Sequence, residues 1–260
     1  MKLGNRVAVV TGGASGIGKA IAYAFADEGA DVAILDIDVP GANVVAEAIR
    51  GKGRKAIVCE CDVGYSDPVV HAFEQTLQAL GGVDILVNNT GIIRQSPVVD
   101  TPEEDWDLIL RTNLKSVFLC SKAAAKQMIG QGRGGRIISI SSIHAVVSEP
   151  NCSHYTAAKG GIEAFSRTLA SELAPHKITV NWIRPGATYT ELTVPMYTDA
   201  VVKSLYERVP MKEIAQAEWI ASGAVFLASD ESRYMTGQHL TIDGGYVMDG
   251  SLPGAVYWEE

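Results

Sequence analysis

Residues 7–18 read VAVVTGGASGIG, a short β-branched run that passes at Thr11 into a cluster of four glycines, with Ile17 enclosed between the last two. Apolar residues then recur at helical spacing from Ile17 to Glu28, and Gly29 closes the segment. A strand, a glycine turn and a helix in that order form a seat for a dinucleotide pyrophosphate. Gly12 allows the tight turn, Gly16 lets backbone approach the phosphates, and Gly18 lets helix pack on strand. The helix N-terminus then faces the phosphate charge. The flanking strand and helix are the context without which such a cluster carries little weight.

Eighteen residues beyond Gly18, Asp36 ends a second apolar run, Val32 to Leu35. A carboxylate there can accept hydrogen bonds from both hydroxyls of the adenosine ribose and repels a 2'-phosphate, which selects NAD over NADP. Neither Ala14 nor Ser15 offers a cation that would clamp such a phosphate.

Outward from this unit, apolar runs and helix-like segments alternate. A helix around Ala42 to Arg50, a strand from Ala56 to Cys59 and a helix from Asp67 to Leu80 follow. Ile85 to Val87, Arg136 to Ile140 and Thr179 to Ile183 read as further strands, separated by long helical stretches at Glu104 to Ile129 and Tyr155 to Leu173. Leu240 to Ile242 reads as a last strand. The pattern predicts an α/β, single-domain Rossmann fold, a doubly wound parallel sheet of about seven strands with helices on both faces. The domain is expected over residues 1–250, with a small substrate lobe near 187–215 and a C-terminal tail, SLPGAVYWEE, at 251–260.

With 260 residues, 47% of them hydrophobic, the chain can bury a large core and is not a disordered protein. A net charge of -8 argues against a nucleic-acid partner, which needs a concentrated basic face. Lys2 and Arg6 precede too short an apolar run for a signal peptide, and no run approaches the length of a membrane span. A soluble, cytoplasmic protein is expected. Cys59, Cys61, Cys120 and Cys152 form no metal-binding pair and are read as reduced thiols. The five histidines are scattered, and no metal site is expected.

A second stretch, SHYTAAKGG at Ser153 to Gly161, holds a tyrosine and a lysine four residues apart. On a helix, Tyr155 and Lys159 lie one turn apart on one face, so an ammonium can sit beside a phenol and form a proton-transfer site.

Together these stretches resemble the short-chain dehydrogenase/reductase family over essentially the whole chain. TGGASGIG matches its TGxxxGxG, and NNTG at Asn88 to Gly91 matches its NNAG with Thr90 in place of alanine. Asn113 in RTNLKS, Ser142 in ISISS, YTAAK at Tyr155 to Lys159 and RPGATYT at Arg184 to Thr190 follow in the family's order. The resemblance implies that Tyr155 is the acid/base and that Lys159 lowers its pKa and binds the nicotinamide ribose. It implies that Ser142 hydrogen-bonds the substrate oxygen and that Asn113 holds the water and backbone of a proton path. Cofactor contacts implied are Gly12, Ser15, Gly16, Ile17 and Gly18 at the phosphates, and Asp36 at the ribose. Asp62 and Val63 fall at the adenine, Asn88 and Gly91 at the second ribose, and Pro185, Gly186, Thr188 and Thr190 at the nicotinamide.

For the substrate, Arg94, His144, Glu149, Asn151 and Tyr189, with Ile93 and His154 nearby, form a polar set suited to a polyol. SSIH and SHYTAAKGG resemble sugar dehydrogenases of the glucose 1-dehydrogenase kind, in which His144 would bind a sugar hydroxyl. GIIRQ and AAAKQMIGQGRGG are similar to the rhamnose and deoxygluconate branches. The resulting expectation is NAD-dependent oxidation of an aldose at C1 to a lactone. The alternatives are oxidation of a secondary alcohol on an acidic sugar, with Arg94 as carboxylate partner, or a 3-oxoacyl-type carbonyl reduction. The resemblance also implies a homotetramer built on helices around Trp106 to Ile129 and Tyr155 to Leu173. Tyr257, Trp258 and Glu259 of the tail are expected to cover a neighbouring pocket in it.

Overall fold

The β-branched runs become the strands of one parallel sheet because both of their faces are covered, which lets apolar residues follow one another without alternation. In the computed structural model, which describes residues 1–250, strands β1 (Val7–Thr11), β2 (Asp31–Asp36), β3 (Ala56–Glu60), β4 (Ile85–Asn88), β5 (Gly135–Ile140) and β6 (Ile178–Pro185) alternate with helices. These helices are α1 (Gly16–Asp27), α2 (Val39–Gly51), α3 (Ser66–Leu80), α4 (Glu103–Leu110), α5 (Ser116–Gln131) and α6 (Ser153–Leu173). Strands β7 (Thr188–Tyr189) and β8 (Ala215–Gln216) pair with each other and bracket α7 (Asp199–Arg208) in a small lobe; α8 (Ala217–Ala228) and β9 (His239–Ile242) complete the fold. The main sheet has seven strands in the order β3-β2-β1-β4-β5-β6-β9, and every pair in it is parallel.

Alternate residues of each strand feed two cores. Ala8, Val10, Val32 and Ile34 face α1, α2 and α8, where Phe25, Ile49, Ile220 and Leu227 pack; Val9, Ala33 and Leu35 face Phe73, Cys120 and Met128. Cys59 and Cys61 lie in the second core, and all four cysteines are buried and free.

The strand order reverses at β1, whose neighbours are β2 and β4. The loops leaving β1 and β4 therefore part, and a crevice opens at the carboxyl ends of the strands, the place where parallel sheets bind ligands.

Three features differ from the sequence-based expectation. The single helix expected over 104–129 is broken by a π turn at Arg111–Lys115, between α4 and α5. Residues 217–228 form α8, for which no helix is read from the sequence; it packs along α1. Cys61, whose two-residue spacing from Cys59 reads as the same face of one strand, lies beyond the end of β3. Tyr257, Trp258 and the rest of the tail lie outside the described residues. Among the described residues no helix is long and apolar enough to cross a membrane, and no cluster of three metal-ligating side chains is found.

Candidate active site

The glycine loop is shaped by what a side chain would strike. Gly12 and Gly16 have φ of +63° and +52°, in the left-handed region that favours glycine. A Cβ on Gly18 would lie 2.1 Å from the Gly12 carbonyl oxygen and 2.4 Å from Asn89 Nδ2. Asn89, which the sequence reading passes over, clamps the loop: its Nδ2 donates to the carbonyls of Thr11 and Gly12, both at 3.0 Å. Thr11 Oγ1 in turn accepts from the backbone N–H groups of Asn89 and Thr90 at 3.0 and 3.1 Å. The preceding Asn88 is buried and turned the other way, donating to Ser121 Oγ and Ser139 Oγ.

Asp36 stands at the end of β2, its two oxygens accepting from the N–H groups of Ala14 at 2.9 Å and Asp38 at 3.0 Å. Ile17 packs against the first core, Ser15 precedes α1 with no side-chain capping bond, and Val63 is buried beside the exposed Asp62. A cradle that excludes Cβ atoms, a helix N-terminus aimed into it and a carboxylate at the β2 end fit a dinucleotide. The N–H of Gly16 already holds an anion there, the carboxylate of Glu191, at 2.8 Å.

The π turn places Asn113 against the loop after β4. Its Oδ1 accepts from Ile92 N–H and its Nδ2 donates to Ile92 carbonyl, both at 2.8 Å, so this fully buried amide brackets one residue of backbone. Inserting one residue into a helix frees backbone groups locally, and such turns concentrate at functional sites. Lys159 is buried on α6 and donates from Nζ to the Ile140 carbonyl at 2.8 Å. A Cβ on Gly91 would lie 3.6 Å from Lys159 Nζ and 3.7 Å from Asn113 Oδ1, so these two polar groups flank the same glycine. Ser142, just past β5, accepts from the His144 N–H at 3.1 Å and lies close enough to the Tyr155 phenol to act on its pKa. Lys159 Nζ stands 5.5 Å from the centre of the Tyr155 ring.

Burial dominates the electrostatics of this pair. Burial pushes the Tyr155 phenol up to about 12; the neighbouring Ser142 hydroxyl opposes the rise, and Cys152, Tyr197 and Glu149 add to it. Burial also pulls Lys159 down to about 8. In the cofactor-free protein, removal from water is the largest influence on both groups, and it disfavours the charged form of each.

A buried carboxylate supports this arrangement from behind. Glu163, one turn beyond Lys159, accepts from Ser141 Oγ at 3.0 Å and from Arg184 Nε and Nη2 at 2.6 and 2.5 Å. Ser141 adjoins Ser142, and Arg184 adjoins the Pro185-Gly186 segment. Arg184 Nη1 also meets His239 Nε2 at 3.0 Å. Glu163→Ala leaves a largely buried guanidinium unpaired and should lower stability by about 3 kcal/mol, read as the shift in a urea unfolding curve.

The substrate side is polar but largely self-paired. His144 Nε2 lies 3.6 Å from Glu149 Oε2, and burial lowers the His144 pKa against the pull of that carboxylate. The exposed Asn151 contributes its carbonyl to Ser96 N–H at 2.8 Å, tying the loops after β4 and β5 together. Arg94 forms an ion pair with Asp105, and its carbonyl accepts from the Cys152 thiol. His154 is buried, with Nδ1 accepting from the Tyr155 N–H. Tyr189 stacks edge-on with Tyr197 at 5.5 Å. Tyr197, absent from the sequence reading, bonds Thr188 through its hydroxyl and lies near enough to Tyr155 to raise its pKa. Thr188 Oγ1 donates to the Gly186 carbonyl, and Thr190 and Thr193 share a hydroxyl bond at 3.0 Å, which folds this segment over the crevice.

A family model described as enoyl-(acyl carrier protein) reductase matches residues 12–247. A short-chain dehydrogenase/reductase, eriH of Hericium erinaceus, is 42% identical over 243 residues, covering 92% of this chain and 96% of its own. The 3-oxoacyl-[acyl-carrier-protein] reductase FabG of Staphylococcus epidermidis is 36% identical over 94% of this chain and 100% of its own. Among solved structures, a putative gluconate dehydrogenase from Agrobacterium tumefaciens superposes with a TM-score of 0.91 at 33% identity, covering 96% and 98% of the two chains. A 7α-hydroxysteroid dehydrogenase complexed with NADH and 7-oxo glycochenodeoxycholic acid gives a TM-score of 0.92 at 33% identity, covering 95% and 96%.

Proposed function

The chain belongs to the short-chain dehydrogenase/reductase family of oxidoreductases, and on that premise we propose that it is an NAD-dependent dehydrogenase that oxidises an aldose at C1 to the lactone. The observation that carries the reading is the grouping of Lys159 and Asn113 at Gly91, with the Tyr155 ring beside Lys159 and Ser142 beside the phenol. Ser142 holds the substrate hydroxyl oxygen, and Tyr155 as phenolate removes its proton. Lys159, whose contacts join Tyr155 to the Ile140 carbonyl, passes that proton toward the Asn113 and Ile92 backbone corner. NAD, when bound along Gly12 to Gly18 and Asp36, supplies the hydride acceptor, so the two electrons leave the carbinol carbon with its hydrogen.

For the sugar, the supporting feature is the His144 and Glu149 pair two and seven residues beyond Ser142, a donor and an acceptor side by side at the crevice. The Arg94 to Asp105 pair speaks against the acidic-sugar alternative, since a carboxylate substrate would have to displace Asp105. The similarity to FabG favours 3-oxoacyl reduction as the second reading. Initial rates with aldoses, acidic sugars and a 3-oxoacyl thioester separate the three: lactone from aldoses supports the proposal, and turnover confined to the thioester overturns it.

The preference for NAD rests on Asp36. Asp36→Ala should raise kcat/KM with NADP by about tenfold or more, since a like charge facing the 2'-phosphate is worth roughly 1.4 kcal/mol or more at this distance scale; the ratio of rates with the two cofactors checks it. Residues at 187–215 form the substrate lobe in this account. Exposed Trp106 and Phe118 on α4 and α5 support a homotetramer paired through that helical face, in a cytoplasmic enzyme.

A further inference from the structure

Helix α1 begins without an anion of its own: Ser15 makes no side-chain capping bond, and the first turn carries no acidic residue. The anion comes instead from a residue 175 positions away, in the lobe segment that follows β7. Glu191 Oε2 accepts from the Gly16 N–H at 2.8 Å, and its Oε1 pairs with Lys19 Nζ, one turn into the helix, also at 2.8 Å. Thr190 presses on the same spot, its Cβ 3.3 Å from where a Gly16 Cβ would be. A carboxylate, a backbone N–H at a helix N-terminus and an ammonium thus occupy the place where the glycine loop would receive phosphate oxygens.

We propose that Glu191 is an internal stand-in for the cofactor pyrophosphate, displaced when a dinucleotide binds, and that Lys19 is a phosphate-binding residue passed from the carboxylate to the phosphate. The inference rests on the cofactor reading above. Two features make the exchange feasible. The side chains of Lys19 and Glu191 are 38% and 56% exposed, so their pairing is weak and reversible. The doubly charged pyrophosphate competes for the same donors with more charge than one carboxylate. Glu191 ties the segment after β7 to α1 through Gly16 and Lys19, so its release removes two of that segment's links to the helix.

The test uses the full-length chain and isothermal titration with NAD and with ADP-ribose, which carries both phosphates but no nicotinamide. Glu191→Gln and Glu191→Ala should each bind both ligands about three- to tenfold more tightly than the parent, and Lys19→Met about three- to tenfold more weakly. Unchanged or weaker binding in both Glu191 variants overturns the stand-in role, and unchanged binding in Lys19→Met overturns the transfer of that cation. If the parent binds the ligands but the Glu191 variants do not differ from it, only this inference falls. If neither the parent nor the variants bind NAD or ADP-ribose, the cofactor reading falls with it.

Discussion

Tyr155→Phe should reduce turnover by on the order of 10³-fold, the size of a lost general acid/base, while leaving dinucleotide affinity unchanged. The phenyl ring keeps the packing on α6, and only the hydroxyl that Ser142 meets is removed. In the proposed reading the dinucleotide is held chiefly by the glycine loop and Asp36 and loses no contact of theirs in the variant, so binding and turnover separate. The pH profile adds a second readout. With the free phenol pushed up to about 12, the phenolate is scarce at neutral pH, so kcat/KM for oxidation should climb as pH rises from neutrality. The climb should slacken above about pH 8, where Lys159 loses its proton and with it the charge that favours phenolate. Both features should be missing from the residual activity of Tyr155→Phe. Equal turnover in the variant would remove Tyr155 from the mechanism.

Gly18→Ala should be nearly as damaging, by a different route. The new Cβ would fall 2.1 Å from the Gly12 carbonyl and 2.4 Å from Asn89 Nδ2, and neither is the free end of a flexible chain, since Asn89 is fixed by its own two bonds. The loop must move, and a displacement of about 1 Å at a positioning element costs on the order of 10²-fold in rate. Overpacking at such a site should also lower stability by about 1–3 kcal/mol. Titration of the variant with NAD and its thermal unfolding check the two effects together. Parent-like NAD binding would show that Gly18 is not the close-approach point of the loop.

The parts of the fold legible in the sequence are those governed by local pattern. Val7 to Val10 and Ile85 to Val87 read as strands because a sheet covered on both faces needs unbroken apolar runs. Tyr155 and Lys159 stand out because a spacing of four puts them on one helical face. Features decided by chain parity or distant contact were hidden. Asn88 and Asn89 are chemically identical neighbours, yet one faces Ser121 and Ser139 while the other clamps the glycine loop, since consecutive residues at a strand end point to opposite sides. The π turn at Asn113 adds one residue to a helix whose sequence on either side is ordinary, and the backbone its side chain brackets, that of Ile92, lies twenty-one positions away. Arg94 reads as a free cation until the fold brings Asp105 beside it. Helix α8 carries so few polar residues that it shows little periodicity, because much of its surface is buried against α1 and the sheet. Glu191 could not have been placed at Gly16 by any local rule, as the contact spans most of the chain.

The central claim is that this site removes a hydride from the anomeric carbon of an aldose with Tyr155 as base. Its most direct test is to incubate the protein with NAD and aldoses deuterated at C1, and to read the label in the reduced nicotinamide by mass spectrometry. The account predicts deuterium transfer to NADH with formation of lactone, and its near-complete loss in Tyr155→Phe. Reduced nicotinamide without deuterium, no reduction with any aldose, or equal transfer in the variant would contradict it.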